Sequence, residues 1–342
     1  MPKENRLALI NEIQTKRNSY IITYITSTRQ NLEVQMAMDS IRYVYDHLKA
    51  IVEINKKPNI DLYIHSNGGD GTVPWRLVTL IREYSKKFSV IIPHRAFSAA
   101  TLTALGADSI IMHPMGMLGP TDPTVTNPFN PVDPIGNQIG ISVEDVTAYI
   151  QLIKEDAGIQ HEDELVQAFN HLADKVHPLA LGNVKRSLSQ SKMMATKLLS
   201  LHMDKTEKQH KINEIVENLT SKLYYHGHPI NRKEAKEQVG IQTIDNPSNE
   251  IEKLIWDLYV EYENEMNLDQ PFDSAMEFVS QFPSINPGQT QITPQRCSKL
   301  AFIESKAKTN VYSIDYQITG TKNPNGAIQT QLLINRRSWI EE

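Results

Sequence analysis

Between residues 20 and 112 short apolar segments alternate with amphipathic ones, joined by short connections, and this alternation constrains the fold more than anything else in the chain. Residues 20–26 are β-branched or aromatic almost throughout and read as a strand. From Ser40 to Glu53, Ile41, Val44, Tyr45 and Leu48 share one helical face, with Asp39 placed to cap it. A strand from Ile60 to Ile64, a helix from Pro74 to Tyr84 and a strand from Phe88 to Ile92 follow. A small-residue helix from Ser98 to Ala107 and a strand from Ser109 to Met112 complete the series. Strands joined through helices run parallel, because each helix carries the chain back to the end from which it started. The expected fold class is therefore α/β with a largely parallel sheet, and its ligands belong beyond the carboxyl ends of the strands.

Past Pro114 the character changes. Gly119-Pro120-Thr121-Asp122-Pro123 opens a proline- and asparagine-rich stretch that runs to about Gly140, predicting a loop over the site or at a subunit contact. Helices are expected over 142–156, across 161–200, over 204–225 and 232–238, and from Asn249 to Met266. Residues 282–296 read as a linker. Val311 to Thr319 and Ala327 to Leu333 read as a small β unit turned at Asn323-Pro324-Asn325-Gly326. The expected organisation is a core over 1–140, a helical extension over 141–281 that completes the site and makes oligomer contacts, and a β tail over 282–342 with no assigned role.

A net charge of -5 gives no general polyanion-binding surface, so no nucleic-acid partner is expected. With Cys297 as the one cysteine there is no intrachain disulfide, as suits a reducing compartment. The first residues lack the apolar core of a signal peptide, and no apolar run is long enough for a membrane span. A cytoplasmic protein is expected, with peripheral membrane association left open.

Two strand ends carry the chemistry. The strand 60–64 ends in His65-Ser66-Asn67-Gly68-Gly69-Asp70, and the strand 88–92 leads through His94-Arg95-Ala96-Phe97 to Ser98 at a helix start. A serine hydroxyl is a nucleophile once a base takes its proton. Backbone N–H groups of Gly68, Gly69 and Ala99 are suited to an oxyanion, because first-turn amides are unpaired and glycine lets a substrate approach closely. Each feature also has a plain reading: a serine before an apolar run is an N-cap worth about 1 kcal/mol, and Gly-Gly after a strand is a turn. Their placement at successive strand ends strengthens the catalytic reading while leaving the plain one open.

The same residues resemble a known family. Tyr63-Ile64-His65-Ser66-Asn67-Gly68-Gly69 and His94-Arg95-Ala96-Phe97-Ser98-Ala99-Ala100, leading into Leu105-Gly106-Ala107-Asp108, are similar to the Clp-protease/crotonase superfamily. Within it they resemble the serine dehydrogenase proteinases of the signal-peptide-peptidase-like branch. Leu118-Gly119-Pro120-Thr121-Asp122-Pro123, His177-Pro178-Leu179-Ala180 and His226-Gly227-His228-Pro229 fit that branch too, so the resemblance spans residues 15 to 265. It implies a ClpP/crotonase-like spiral of ββα units with helical additions and a small C-terminal β unit. It also implies Ser98 as nucleophile, Gly68 and Gly69 at the oxyanion hole, a peptide or protein substrate, no cofactor, and assembly into trimers, tetramers or larger rings.

The base is the open question. Where Clp proteases place a histidine, this chain reads Leu118-Gly119-Pro120-Thr121. The peptidase branch resembles Ser-Lys dyads, and the first lysine after Ser98 is Lys154, beside Glu155 and Asp156. A lysine works as a base only when its pKa is lowered well below about 10.4. His177, Lys175 and His94 are the alternatives, His177 because an ordinary histidine pKa suffices. His65 and His113 read as structural, and Asp122 as a turn acid that would otherwise orient a base. His226 and His228, with His202 and His210 upstream, do not make a zinc motif. The leading expectation is a serine endopeptidase with a Ser-Lys dyad. The alternatives are an inactive scaffold of the same fold or a crotonase-type acyl-CoA enzyme.

Overall fold

One sheet of nine strands runs through the protein and carries both strand ends. The computed structural model describes residues 2–121, 124–125, 127–222 and 227–342. In chain order, α1 (Pro2–Arg17) precedes β1 (Tyr20–Thr26), α2 (Ser40–Ile54), β2 (Asn59–His65), α3 (Val73–Tyr84) and β3 (Lys87–Ile92). A short β4 (Arg95–Ala96) then leads to α4 (Ala99–Leu105), β5 (Ser109–Met112) and β6 (Met117–Leu118). The proline-rich loop is closed by β7 (Thr124–Val125) and β8 (Ile141–Ser142). Helices α5 (Val143–Gln151), α6 (Glu162–Lys175), α7 (Pro178–Leu199) and α8 (Lys205–Glu217) follow. After them come β9 (Ile230–Asn231), α9 (Arg232–Glu237), β10 (Ile244–Asp245), α10 (Asn249–Met266) and α11 (Ser274–Gln281). The chain closes with β11 (Thr290–Ile292), β12 (Arg296–Glu304), β13 (Thr309–Lys322) and β14 (Ile328–Glu341).

The sheet order is β10-β5-β3-β2-β1-β12-β13-β11, with β14 also paired to β13. From β10 to β1 every pairing is parallel, as the alternation of strands and helices requires. Ile22, Leu62, Val90 and Ile110 stand in one row across this half. Both faces are covered, which explains the continuous apolar strands. Ile22, Leu62, Val90 and Ile110 pack beneath α2, α3 and α4, while Ile21, Tyr63, Ile91 and Ile111 face α1 and α10. A second sheet of β4, β6 and β9 stands beyond the carboxyl ends of β3 and β5. The architecture is mixed α/β, as expected.

Three expectations are corrected. The β tail is not a separate unit: β12 pairs antiparallel with β1, Tyr24 opposite Ile303, and extends the same sheet. An open β1 edge would leave a row of unpaired backbone groups, and β12 covers it while sending Ile303 to one core and Phe302 to the other. The segment 141–281, expected as a helical extension, also supplies a strand, because β10 joins the sheet, and α10 lies with α1 on its opposite face. Asp39 makes no cap bond to α2; its Oδ2 accepts from Trp339 Nε1 at 3.0 Å.

Helix α1 escaped the sequence reading because a buried charge interrupts its apolar face. Ile10, Ile13 and Arg6 are all fully buried. Arg6 Nε donates to Glu304 Oε2 at 2.9 Å, and Glu304 also accepts from Tyr262 Oη at 2.6 Å and Thr309 Oγ1 at 2.8 Å. These bonds fasten α1 and α10 to β12. Removing one partner leaves the other charged and dry, so Arg6→Met is expected to lower unfolding free energy by about 3 kcal/mol or more. Urea denaturation of the variant and of Arg6→Met/Glu304→Leu, which recovers most of the loss, checks this.

Candidate active site

The Gly68 loop and the Ser98 turn are held together by backbone pairing. Beyond β2, Ser66 bridges to Ala96: Ser66 N donates to Arg95 O at 2.9 Å, and Phe97 N donates to Ser66 O at 3.0 Å. The Ser66 hydroxyl accepts from Thr26 Oγ1 at 2.8 Å and from Gly68 N at 3.0 Å. On its other side the loop is stitched to the segment before α2, with Met36 N donating to Gly68 O at 2.8 Å and Asp70 N to Met36 O at 2.9 Å.

Both glycines are required by geometry. Gly68 has φ +98°, and a Cβ there would lie 2.7 Å from Phe97 O and 2.9 Å from Ser98 Cβ. At Gly69 a Cβ would fall 2.4 Å from Met36 O. The absence of these side chains lets the loop backbone touch the serine turn.

Ser98 adopts φ +50° and ψ −112° immediately before α4, and its side chain makes no cap bond. The other non-glycine residues with positive φ among those described are Asn18, Asn31 and Asn267, a residue type that tolerates the left-handed region. A serine held there stores about 1–3 kcal/mol of strain, which the surrounding structure must sustain. Thr101 contributes, its Oγ1 lying 2.6 Å from Ala96 O and accepting from Gly119 N at 3.1 Å. The plain N-cap reading of Ser98 therefore fails, since the hydroxyl has no hydrogen-bond partner among the described residues.

Ser98 opens into a cavity of about 410 Å³ bounded by the Gly69 loop, α4, Thr121 and α7. The N–H of Gly69, which lines this cavity, and the N–H of Ala99, the residue after Ser98, have no protein acceptor among the described residues. The Gly68 N–H is engaged by Ser66, so of the three expected donors Gly68 serves as the spacer. The part played by α7 had no signal in the sequence beyond its helical pattern. Its Ser187, Gln190 and Ser191 face the cavity, and Ser191 Oγ donates to Thr121 O at 2.5 Å.

No expected base lines this cavity. Lys154 is exposed on a π-turn after α5, Lys175 ends α6, and His177 caps α7, its Nδ1 accepting from Leu179 N at 3.2 Å while its ring stacks on Phe129. His94 Nδ1 lies 2.9 Å from Tyr259 Oη, on the α10 side of the sheet. Among the described residues around Ser98, Asp70 is the one titratable group, exposed and accepting from Thr72 N at 2.8 Å. Asp122 and His226 lie outside the described residues. His228 Nε2 is 2.7 Å from Glu234 Oε1, and no metal-binding cluster occurs among the described residues.

The histidines near the strand ends form an aromatic stack behind the loops. His65 stacks on His94 at 5.7 Å, and His113 on Trp256 at 5.0 Å. His65 Nδ1 accepts from Arg95 N, which leaves its Nε2 to donate to Thr28 Oγ1 at 3.2 Å. Burial, reinforced by Arg95 and His113, lowers His94 to about 4, and burial likewise lowers His65 and His113.

Family likeness points to a hydrolase of the serine-protease type. The chain belongs to the ClpP-like SDH-type serine proteinases, whose sequence model matches residues 2–190 and so includes both loops and most of α7. Two uncharacterized proteins of Methanocaldococcus jannaschii, MJ1495 and MJ0137, are 27% and 28% identical to it over 255 residues. Those alignments span 73% of this chain and 75% and 77% of the relatives. Among solved structures, a mutant of the 1510-N membrane-bound stomatin-specific protease aligns with 62% of this chain and 77% of its own, at 15% identity and a TM-score of 0.34. No helix among the described residues is long and apolar enough to cross a membrane.

Two outcomes are expected. Ser66→Ala removes the acceptor of the Gly68 N–H, and loss of that buried hydrogen bond should speed amide exchange at Gly68 about tenfold, as read by hydrogen-exchange mass spectrometry. The histidine stack makes folding pH-dependent. Its folded-state pKa values lie below the unfolded value near 6.5, so the unfolded chain binds more protons and stability falls as pH drops from about 6.5 towards 4. The urea midpoint should decline across that window, and His94→Gln should flatten part of the decline.

Proposed function

We propose that the protein is a serine peptidase that cleaves peptide bonds through an acyl-enzyme. One observation carries this reading: a strained serine without a cap bond shares a cavity with the free Gly69 N–H and is followed directly by the free Ala99 N–H. Ser98 Oγ attacks the scissile carbonyl carbon, and its proton passes to a base. Gly69 N–H and Ala99 N–H donate to the oxygen as it becomes negative, at the first turn of α4 where the peptide dipoles favour that charge. Collapse of the tetrahedral intermediate expels the amine, which takes the proton, and water then hydrolyses the Ser98 ester. The substrate lies extended beside the Gly69 loop, on the side away from Met36. Chemistry of this kind uses no cofactor.

Lys154 is assigned as the base in this proposal. Because it is exposed and no lysine or histidine lines the cavity among the described residues, the dyad forms when the α5 segment closes over Ser98. That closure comes from the same chain or from a neighbouring copy in a homo-oligomer. The same observation favours a second reading, a peptide-binding protein of this fold that does not turn over. The proposal extends to the architecture: β2 continues into the Ser66 bridge, β3 into β4 and β5 into β6, steps that we read as turns of a ββα spiral.

Hydrolysis of an unfolded protein such as casein tests the assignment. Ser98→Ala should cut the rate by at least about 10³-fold, and Lys154→Ala by about 10²–10⁴-fold. Unchanged hydrolysis in Ser98→Ala overturns the peptidase reading. Loss with Ser98→Ala but not with Lys154→Ala keeps the nucleophile and discards the dyad. Peptide binding by wild type without turnover supports the second reading.

A further inference from the structure

The cavity beside Ser98 is unusual in what it lacks. Leu102, one helical turn beyond Ser98 on α4, is its one large apolar contributor among the described residues. The rim is formed by the carboxamides of Gln35, Asn67 and Gln190, all exposed, and each can both donate and accept. The inner wall holds two buried hydroxyl residues, Thr121 and Ser191, at 3% and 7% exposure. Their roles differ. The Ser191 hydroxyl donates to Thr121 O and fixes that backbone, while Thr121 Oγ1 has no hydrogen-bond partner among the described residues. Buried hydroxyls are ordinarily paired, and one left unpaired at a cavity wall is a group that a ligand satisfies.

Among the described residues that line it, charge is nearly absent. No cation lines the cavity among the described residues, and its one carboxylate, Asp70, sits exposed at the mouth with Oδ1 accepting from Thr72 N and Thr72 Oγ1. An anionic side chain would enter without a counter-ion. A cationic one would find only a rim carboxylate already hydrogen-bonded. A large apolar side chain would strip water from amides and hydroxyls and return no hydrogen bonds.

We infer that this cavity recognises an uncharged polar side chain of the peptide, an amide or a hydroxyl, with Thr121 Oγ1 and the Gln190 carboxamide as the residues that read it. The inference rests on the peptidase reading for its substrate, but its test does not depend on turnover. Binding is measured on the Ser98→Ala protein with two peptides that differ only in glutamine against methionine, a near-isosteric pair. Sites built to pair a polar group discriminate strongly against the analogue that lacks it, so the glutamine peptide should bind at least about tenfold tighter. Adding Thr121→Val or Gln190→Met should collapse that ratio, and adding Thr121→Ser, which keeps the hydroxyl, should preserve it. Equal or tighter binding of the methionine peptide overturns the inference, as does a ratio unchanged by both Thr121→Val and Gln190→Met. Failure of the peptidase reading shows separately, as wild-type hydrolysis indifferent to Ser98.

Discussion

Close contact between the Gly68 backbone and the Phe97-Ser98-Ala99 turn is the constraint on which the site depends. With a would-be Cβ at 2.7 Å from Phe97 O, no other residue fits there without moving the turn. The contact is maintained by the Ser66–Ala96 bridge, by the Ser66 hydroxyl on the Gly68 N–H, and by Met36 on the far side of the loop. Two strands therefore deliver two kinds of group to one point. From β2 comes the unpaired N–H of Gly69, and from β3 the hydroxyl of Ser98 with the unpaired N–H of Ala99. The strain at Ser98 is sustained because α4 is anchored through Thr101 to Ala96 and Gly119.

The parallel half of the sheet was legible in the sequence because its information is local. Residues such as Ile60 to Ile64 and Phe88 to Ile92 are apolar on both faces, and the helices between them have one apolar face each. The pairing of Gly68-Gly69 with Ser98 followed from the rule that sites form at strand ends. Other features depend on distant partners. Helix α1 hides its pattern behind Arg6, which is buried only because Glu304 meets it some three hundred residues later. The tail reads as an independent hairpin until β1 supplies an open edge for β12. Gly68 and Gly69 look equivalent in the chain, and only the Ser66 hydroxyl separates the spacer from the donor.

The helical region above the site was the least legible. Ser187, Gln190 and Ser191 follow helical spacing, yet polar residues at that spacing read as a solvated face. In the structure α7 instead lies against α4 and walls the cavity. This polar wall, and the absence of lysine and histidine from it among the described residues, sets two properties together. In the proposed mechanism it makes the cavity selective for hydrogen-bonding groups and brings the proton acceptor from outside the wall. A serine turn that is preformed, with its base supplied by closure, would keep Ser98 inert until a peptide is bound.

The most direct measurement is intact-protein mass spectrometry of the wild-type protein quenched in acid during reaction with an activated peptide ester, followed by peptide mapping. The account predicts one acyl adduct, on the peptide containing Ser98, that forms and decays at the rate of turnover. An adduct on another residue, or product formation with no adduct on Ser98 at any time of quenching, contradicts it.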